Sequence, residues 1–194
     1  MNYFIIFMHP SEDSFNGAIL RELTTQLEHK DHNVTISKLS MDWFNPQLSK
    51  KEYEASLQGS YSPIIVQEHE KVRQADRLIF IFPLWWGGFP AIGKGYIDRV
   101  FSYGFAYELE GEKPIPLLKD KKASLIFTTG TPASEFNNSG LYNHTVELID
   151  KSIFQFCGIT LDGVLHFGDV IQASKETREK MLQSTREFSK NVSA

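Results

Sequence analysis

Three short segments concentrate residues able to do chemistry. His9-Pro10-Ser11-Glu12-Asp13-Ser14-Phe15-Asn16 groups imidazole, hydroxyl and amide donors just ahead of a helical pattern. Backbone N–H groups at a helix start are unpaired and lie at the positive end of the helix dipole, so this loop suits an anion such as a phosphate. A capped turn with a surface histidine is the plainer alternative. Pro83-Leu84-Trp85-Trp86-Gly87-Gly88-Phe89-Pro90 sets two tryptophans beside two glycines. Glycine permits close backbone approach and indole offers a flat face, so a planar aromatic ligand would fit there; packing under a helix or at a subunit interface is the alternative. Thr128-Thr129-Gly130-Thr131-Pro132 adds hydroxyls and a glycine that could donate to a heterocycle's carbonyl oxygens and ring nitrogens, although such a turn is weak evidence alone.

Each segment follows a short, continuously apolar run. Strands are expected near Tyr3–Met8, Asn33–Leu39, Arg77–Phe82, Ala123–Thr129 and Ile159–Phe167. Between them lie helical patterns: one after Ser14 to about Lys30, with Ala18, Ile19, Leu23 and Leu27 facing the core, and one over Pro63–Gln74, with Ile65, Val66, His69 and Val72 on one side. Others follow Pro90 (Ile92, Tyr96, Val100), cover about Leu141–Phe156 and run from Lys175 to Phe188. Residues 40–62, with weak periodicity and with Pro46 and Gly59, read as an excursion that could order at a subunit contact. Alternating buried strands and helices predict an α/β fold, a five-stranded parallel sheet with helices on both faces, of flavodoxin-like or small Rossmann-like type. Both types gather ligand contacts at the carboxyl ends of their strands, where the three loops lie.

Composition narrows the function classes. The 194 residues suffice for one domain, and 20 basic against 24 acidic residues leave a net charge of −4 with no cationic face for nucleic acid. Cys157 is the single cysteine, which excludes an intramolecular disulfide framework or a multi-cysteine metal site. The longest apolar stretch, Leu78 to Trp86, is interrupted by Pro83 and too short to span a membrane, and no secretory signal is evident, so the expected location is the cytoplasm. Gly88 to Gly95 approximates a nucleoside-triphosphate loop but lacks the final hydroxyl, and Pro90 starts the helix too early. No G-x-G-x-x-G, H-E-x-x-H or G-x-S-x-G occurs, and no metal site is expected.

The stretch Phe82-Pro83-Leu84-Trp85-Trp86-Gly87, continued by Pro90-Ala91-Ile92, Lys94-Gly95, Arg99-Val100-Phe101 and Phe105-Ala106-Tyr107, resembles the NAD(P)H:quinone oxidoreductase family. This flavodoxin-like group includes DT-diaphorase, modulators of drug activity and potassium-efflux ancillary proteins. The resemblance extends from the first strand to about Phe167. It implies a three-layer flavodoxin-like sandwich, a bound flavin, NAD(P)H as transient co-substrate, ping-pong hydride transfer to a quinone, and a homodimer. By that resemblance, His9, Ser14, Phe15, Asn16 and Ala18 hold the flavin phosphate or the start of a dinucleotide tail. Pro83, Leu84, Trp85, Trp86 and Gly87 line the flavin ring, Thr128, Thr129, Gly130 and Thr131 meet its polar rim, and Tyr107 reaches toward the partner's flavin. FMN is favoured over FAD because little chain follows the fifth strand. Where some members carry a tyrosine and a histidine near the reacting end of the flavin, this chain has Phe136 and Tyr142, with Asn143 and His144 as neighbouring alternatives. Phe136 has no proton to give, and Tyr142, with an ordinary pKa of about 10, is a poorer proton partner than histidine. The rival readings are an ancillary subunit of a cation efflux system and a flavodoxin-type one-electron carrier.

Overall fold

Strands that are apolar on both faces must be covered on both faces, and the pairing obeys that requirement. The computed structural model describes residues 1–40 and 42–192. Its strands are β1 (Asn2–Phe7), β2 (Asn33–Lys38), β3 (Arg77–Pro83), β4 (Tyr107–Glu110), β5 (Lys113–Pro116), β6 (Lys122–Thr128) and β7 (Thr160–Phe167). Five of them form one sheet in the order β2-β1-β3-β6-β7, with every pairing parallel. Counted in chain order this is 2-1-3-4-5, the flavodoxin arrangement, which places a switch of direction beside β1.

The period of two sorts the strand residues into two cores. Phe4, Ile6, Met8, Phe80, Phe82, Leu125 and Phe127 face one side, where they meet Ile65 and Val72 of α3 (Pro63–Gln74) and Tyr96 and Val100 of α4 (Ala91–Val100). Tyr3, Ile5, Phe7, Ile79, Ile81 and Ile126 face the other, against α1 (Phe15–Glu28) and the closing helix Lys175–Asn191. No helix among the described residues is long and apolar enough to cross a membrane.

Four local expectations change. Val66 is exposed, because the buried stripe of α3 runs through Ile65, Glu68, His69 and Val72, and Val66 lies about 100° around the helix from Ile65. Of the 40–62 stretch, Met41 lies outside the described residues, and residues 42–62 are ordered within the subunit. They carry α2 (Lys50–Ser56) and a buried Phe44 packed on Tyr96, while Arg99 clasps Glu52 through paired bonds of 2.9–3.1 Å. A Cβ on Gly95 would lie 2.2 Å from the Pro46 carbonyl oxygen, so glycine there permits that close approach. After α5 (Ala133–Asn138), the pattern over Leu141–Phe156 is α6 (Leu141–Ile149), a π-helical turn Asp150–Phe154 and a last turn, α7 (Gln155–Cys157). Finally β4 and β5 form an antiparallel hairpin outside the main sheet, too short to stand out as periodic sequence.

A carboxylate lies inside the first core. Glu68, 1% exposed, accepts from Ser37 Oγ at 2.7 Å and Tyr96 OH at 3.0 Å and pairs with Lys71. Removing it leaves the buried Ser37 and Tyr96 hydroxyls without an acceptor and Lys71 without its counter-charge, with only the 3.0 Å bond to Ser37 Oγ remaining. Glu68→Ala is therefore expected to lower stability by about 3 kcal/mol in urea unfolding, well beyond the effect of truncating an exposed ion-pair partner such as Glu176.

Candidate active site

The register of the sheet brings the carboxyl ends of β3, β6 and β7 level, since Pro83 pairs with Thr128 and Thr128 with Phe167. Hydrogen bonds then tie the loops together. Asn16 Nδ2 donates to Thr128 Oγ1 at 2.9 Å, the Leu84 N–H donates to the Thr128 carbonyl at 2.8 Å, and the Thr129 N–H donates to the Phe167 carbonyl at 2.9 Å. His9 and Trp85 rings approach to 5.9 Å. Between them opens a cleft of about 350 Å³, a size suited to a small organic ligand.

His9, Ser14, Phe15, Asn16, Pro83, Leu84, Trp85, Thr128, Thr129 and Gly130 all line this cleft. Ser14 caps α1, accepting from the Gly17 N–H at 3.1 Å while its own hydroxyl donates to the Ser11 carbonyl at 2.7 Å. No acidic residue occupies the first turn of α1, so the positive end of its dipole is uncancelled there. Asp13 is exposed on the rim. Burial holds the His9 imidazole below its ordinary pKa, against the opposing effect of its bond to Ser11.

Other expected residues stand elsewhere. Ala18 lines an adjoining depression, and Thr131 is exposed, with its carbonyl accepting from Thr129 Oγ1. Phe136 is buried in the core behind the cleft, 6.4 Å from the Phe127 ring. Tyr142 is half-buried, 6.1 Å from Phe127, and desolvation raises its pKa. Neither lines the cleft of its own chain. Tyr107 packs on Phe156 at 4.8 Å and lines a separate depression with Tyr61 and Tyr103.

Trp85 and Gly88 exchange two backbone bonds of 3.1 Å, closing a two-residue turn on Trp86 and Gly87, whose φ angles are +52° and +77°. Such a turn needs both central residues in the left-handed region. Glycine meets that requirement without strain; Trp86 does not, and its side chain is fully exposed.

Several contributors escaped the sequence reading. Val170 and Ile171, from the loop after β7, complete one wall, and Arg178 of α8 (Lys175–Asn191) reaches them by donating to the Val170 carbonyl at 3.1 Å. The Gly168-Asp169 step after a buried strand was the available signal. Gly17 is another: a Cβ there would fall 1.9 Å from the Glu12 carbonyl oxygen, so only glycine lets the first loop fold back on its helix. His166 stands behind Thr129 and left no motif.

Comparison with known proteins gives the chain its family. A family profile described as flavodoxin-like fold matches residues 1–190, and the chain belongs to that family. It is 36% identical to an uncharacterized NAD(P)H oxidoreductase of Haemophilus influenzae, over 94% of this chain and 91% of that protein. It is 31% identical to the ribosyldihydronicotinamide dehydrogenase [quinone] of Rattus norvegicus, over 93% and 87% of the two chains. The solved NAD(P)H:quinone oxidoreductase of Methanothermobacter marburgensis superposes with a TM-score of 0.89 at 29% identity, covering 99% of this chain and 98% of that one. The chain is an oxidoreductase.

The turn generates one expectation. Trp86→Asn should raise stability toward urea by about 1 kcal/mol, because asparagine tolerates the left-handed region and no packed side chain is lost. Trp86→Phe, equally strained there, should leave stability unchanged.

Proposed function

We propose that this flavodoxin-like oxidoreductase seats a flavin in the cleft at the ends of β1, β3 and β6 and carries two electrons from NAD(P)H to a quinone or similar acceptor, in ping-pong order. The observation that carries this reading is Asn16. Its Nδ2 is committed to Thr128, while its buried Oδ1 has no donor among the described residues. Orphaned buried acceptors are costly, and a ribityl hydroxyl is a donor of the right kind for that place. A flavin held there would supply the redox chemistry, two-electron exchange with reduced nicotinamide and with the acceptor.

The chain's own part is binding and orientation. The start of α1, with Ser14, Phe15 and Asn16, and the cation Arg178 would hold phosphate, Pro83, Leu84 and Trp85 would back the ring, and the Thr128–Thr131 turn would meet its polar rim. Phe136 offers no proton, and Tyr142, its pKa raised by burial, stays a neutral phenol near pH 7. A Tyr-His relay of the family kind therefore has no counterpart at those two positions, and protons would reach the acceptor from solvent.

The choice of flavin turns on α8. The short chain after β7 argued for FMN, yet that chain forms a helix of 17 residues beside α1. A second depression of about 310 Å³ lies between them, sharing Asp13, Ser14, Phe15 and Arg178 with the first and adding Arg21 and Lys175. Its cations Arg21, Lys175 and Arg178 outnumber its carboxylates Asp13 and Glu179, and that balance beside a helix start favours a second phosphate, so FAD is the better reading. A homodimer completes the site in this reading, with Trp86 and the Tyr107 side chain buried between two copies. The enzyme is placed in the cytoplasm.

Purified protein should be yellow, bleach on anaerobic addition of NADH or NADPH and recover its colour with a quinone. Chromatography of the heat-released flavin should identify FAD, and Lys175→Ala, which touches only the second depression, should weaken FAD binding about tenfold more than FMN binding. Colourless protein that takes up neither flavin would sink the proposal.

A further inference from the structure

His166, in β7, lies against the back of the cleft wall. Its Nε2 is 2.9 Å from Thr129 Oγ1, and the same hydroxyl oxygen is 2.8 Å from the Thr131 carbonyl oxygen. A hydroxyl has one proton to give and a carbonyl can only accept, so that proton belongs to Thr131. The contact to His166 is then a hydrogen bond only if the imidazole carries its proton on Nε2 and donates it. We propose that His166 is a positioning residue for the flavin site: its Nε2–H donates to Thr129 Oγ1 and holds the Thr128–Thr131 turn in the form that receives the polar rim of the ring.

The inference rests on the flavin reading above, but its geometry is independent of it. The Thr129 backbone is already clamped, its N–H donating to Phe167 and its carbonyl accepting from Val170 at 3.2 Å. The side-chain bond fixes the hydroxyl's direction and, through Thr131, adds a restraint on the exposed half of the turn beside the Asp169 N–H, which donates to the Thr131 carbonyl at 3.1 Å. The surroundings of the imidazole point the same way. Its ring stacks on Phe127 at 4.6 Å and meets Phe136 at 5.1 Å and Tyr142 at 5.8 Å. An aromatic hydrocarbon would fill such a niche at no desolvation cost, so the nitrogen at that position answers to Thr129. Burial lowers the His166 pKa to about 4, which keeps the ring a neutral single donor near pH 7.

Two substitutions separate a donor from a packing piece. His166→Phe keeps the aromatic stack and loses the N–H, whereas His166→Gln loses the stack and keeps an amide N–H near the place of Nε2. In fluorescence titrations of apoprotein with FMN and with FAD, His166→Phe should bind about tenfold more weakly than wild type and shift the visible bands of the bound flavin, while His166→Gln should recover most of the affinity. The reverse order, with phenylalanine tolerated and glutamine damaging, would overturn the proposal. Nitrogen-15 NMR of wild-type apoprotein supplies a readout that needs no variant: the Nε2–H tautomer is expected at neutral pH, and Nδ1–H would also overturn it. Wild-type protein that takes up no flavin removes the flavin reading and this inference together, whereas equal uptake by wild type and His166→Phe removes this inference alone.

Discussion

At the end of β6 the main chain of Thr128 accepts a bond from Leu84 while its hydroxyl accepts one from Asn16. One residue thus joins the loop after β1, the loop after β3 and the strand that lies between β3 and β7. The tie is possible because the parallel register sets Pro83, Thr128 and Phe167 in one row, and that register follows from the two-sided burial of β3 and β6. A slip by one residue would turn every inward side chain to the opposite core, so register is strongly fixed where both faces are covered. The cleft inherits its rigidity from the sheet rather than from its own loops.

The sheet was legible because it depends on patterns carried within each segment. Continuous apolar runs such as Leu78–Phe82 read as buried strands whatever surrounds them, and Ser14 and Pro63 mark helix starts by local chemistry. The same holds for the cleft residues contributed by His9–Asn16, Pro83–Trp85 and Thr128–Gly130. What sequence left out depends on contacts between segments. Gly17 matters because Glu12 folds back on it, Arg178 because α8 returns beside α1, and Glu68 because Ser37 and Tyr96 converge on it. Nothing in a helical stripe distinguishes a buried glutamate with partners from an exposed one. Residues 42–62 failed for a related reason, since their order comes from Arg99, Tyr96 and Gly95 on another helix.

Polar groups near the cleft are kept uncharged or are committed to partners. His9 and His166 are lowered by burial, Tyr142 is raised by it, and Phe136 cannot ionise. All three shifts have desolvation as their largest cause and all favour the neutral form. The back of the cleft is therefore a neutral aromatic wall, while the charges collect at the α1–α8 edge, where Arg21, Lys175 and Arg178 outnumber Asp13 and Glu179. Such a division suits a ligand with a flat uncharged end and an anionic tail, and it orients that ligand before any contact becomes specific.

Trp86 stands apart from this economy of burial. A bulky residue at positive φ with a fully exposed indole costs the isolated chain on two counts, strain and uncovered apolar surface. Gly87, beside it, shows that the turn itself asks only for residues that accept the left-handed region. The backbone therefore has no use for tryptophan there, and the core has none either. The tryptophan belongs to whatever meets the open side of the cleft. Trp85, the residue before it, lines the cleft with its ring 5.9 Å from that of His9; Trp86 faces outward from the same turn. A ligand on one side of the turn and a second copy of the chain on the other would give both indoles a surface, and would make the strain of Trp86 a property of the assembled site rather than a defect of the fold.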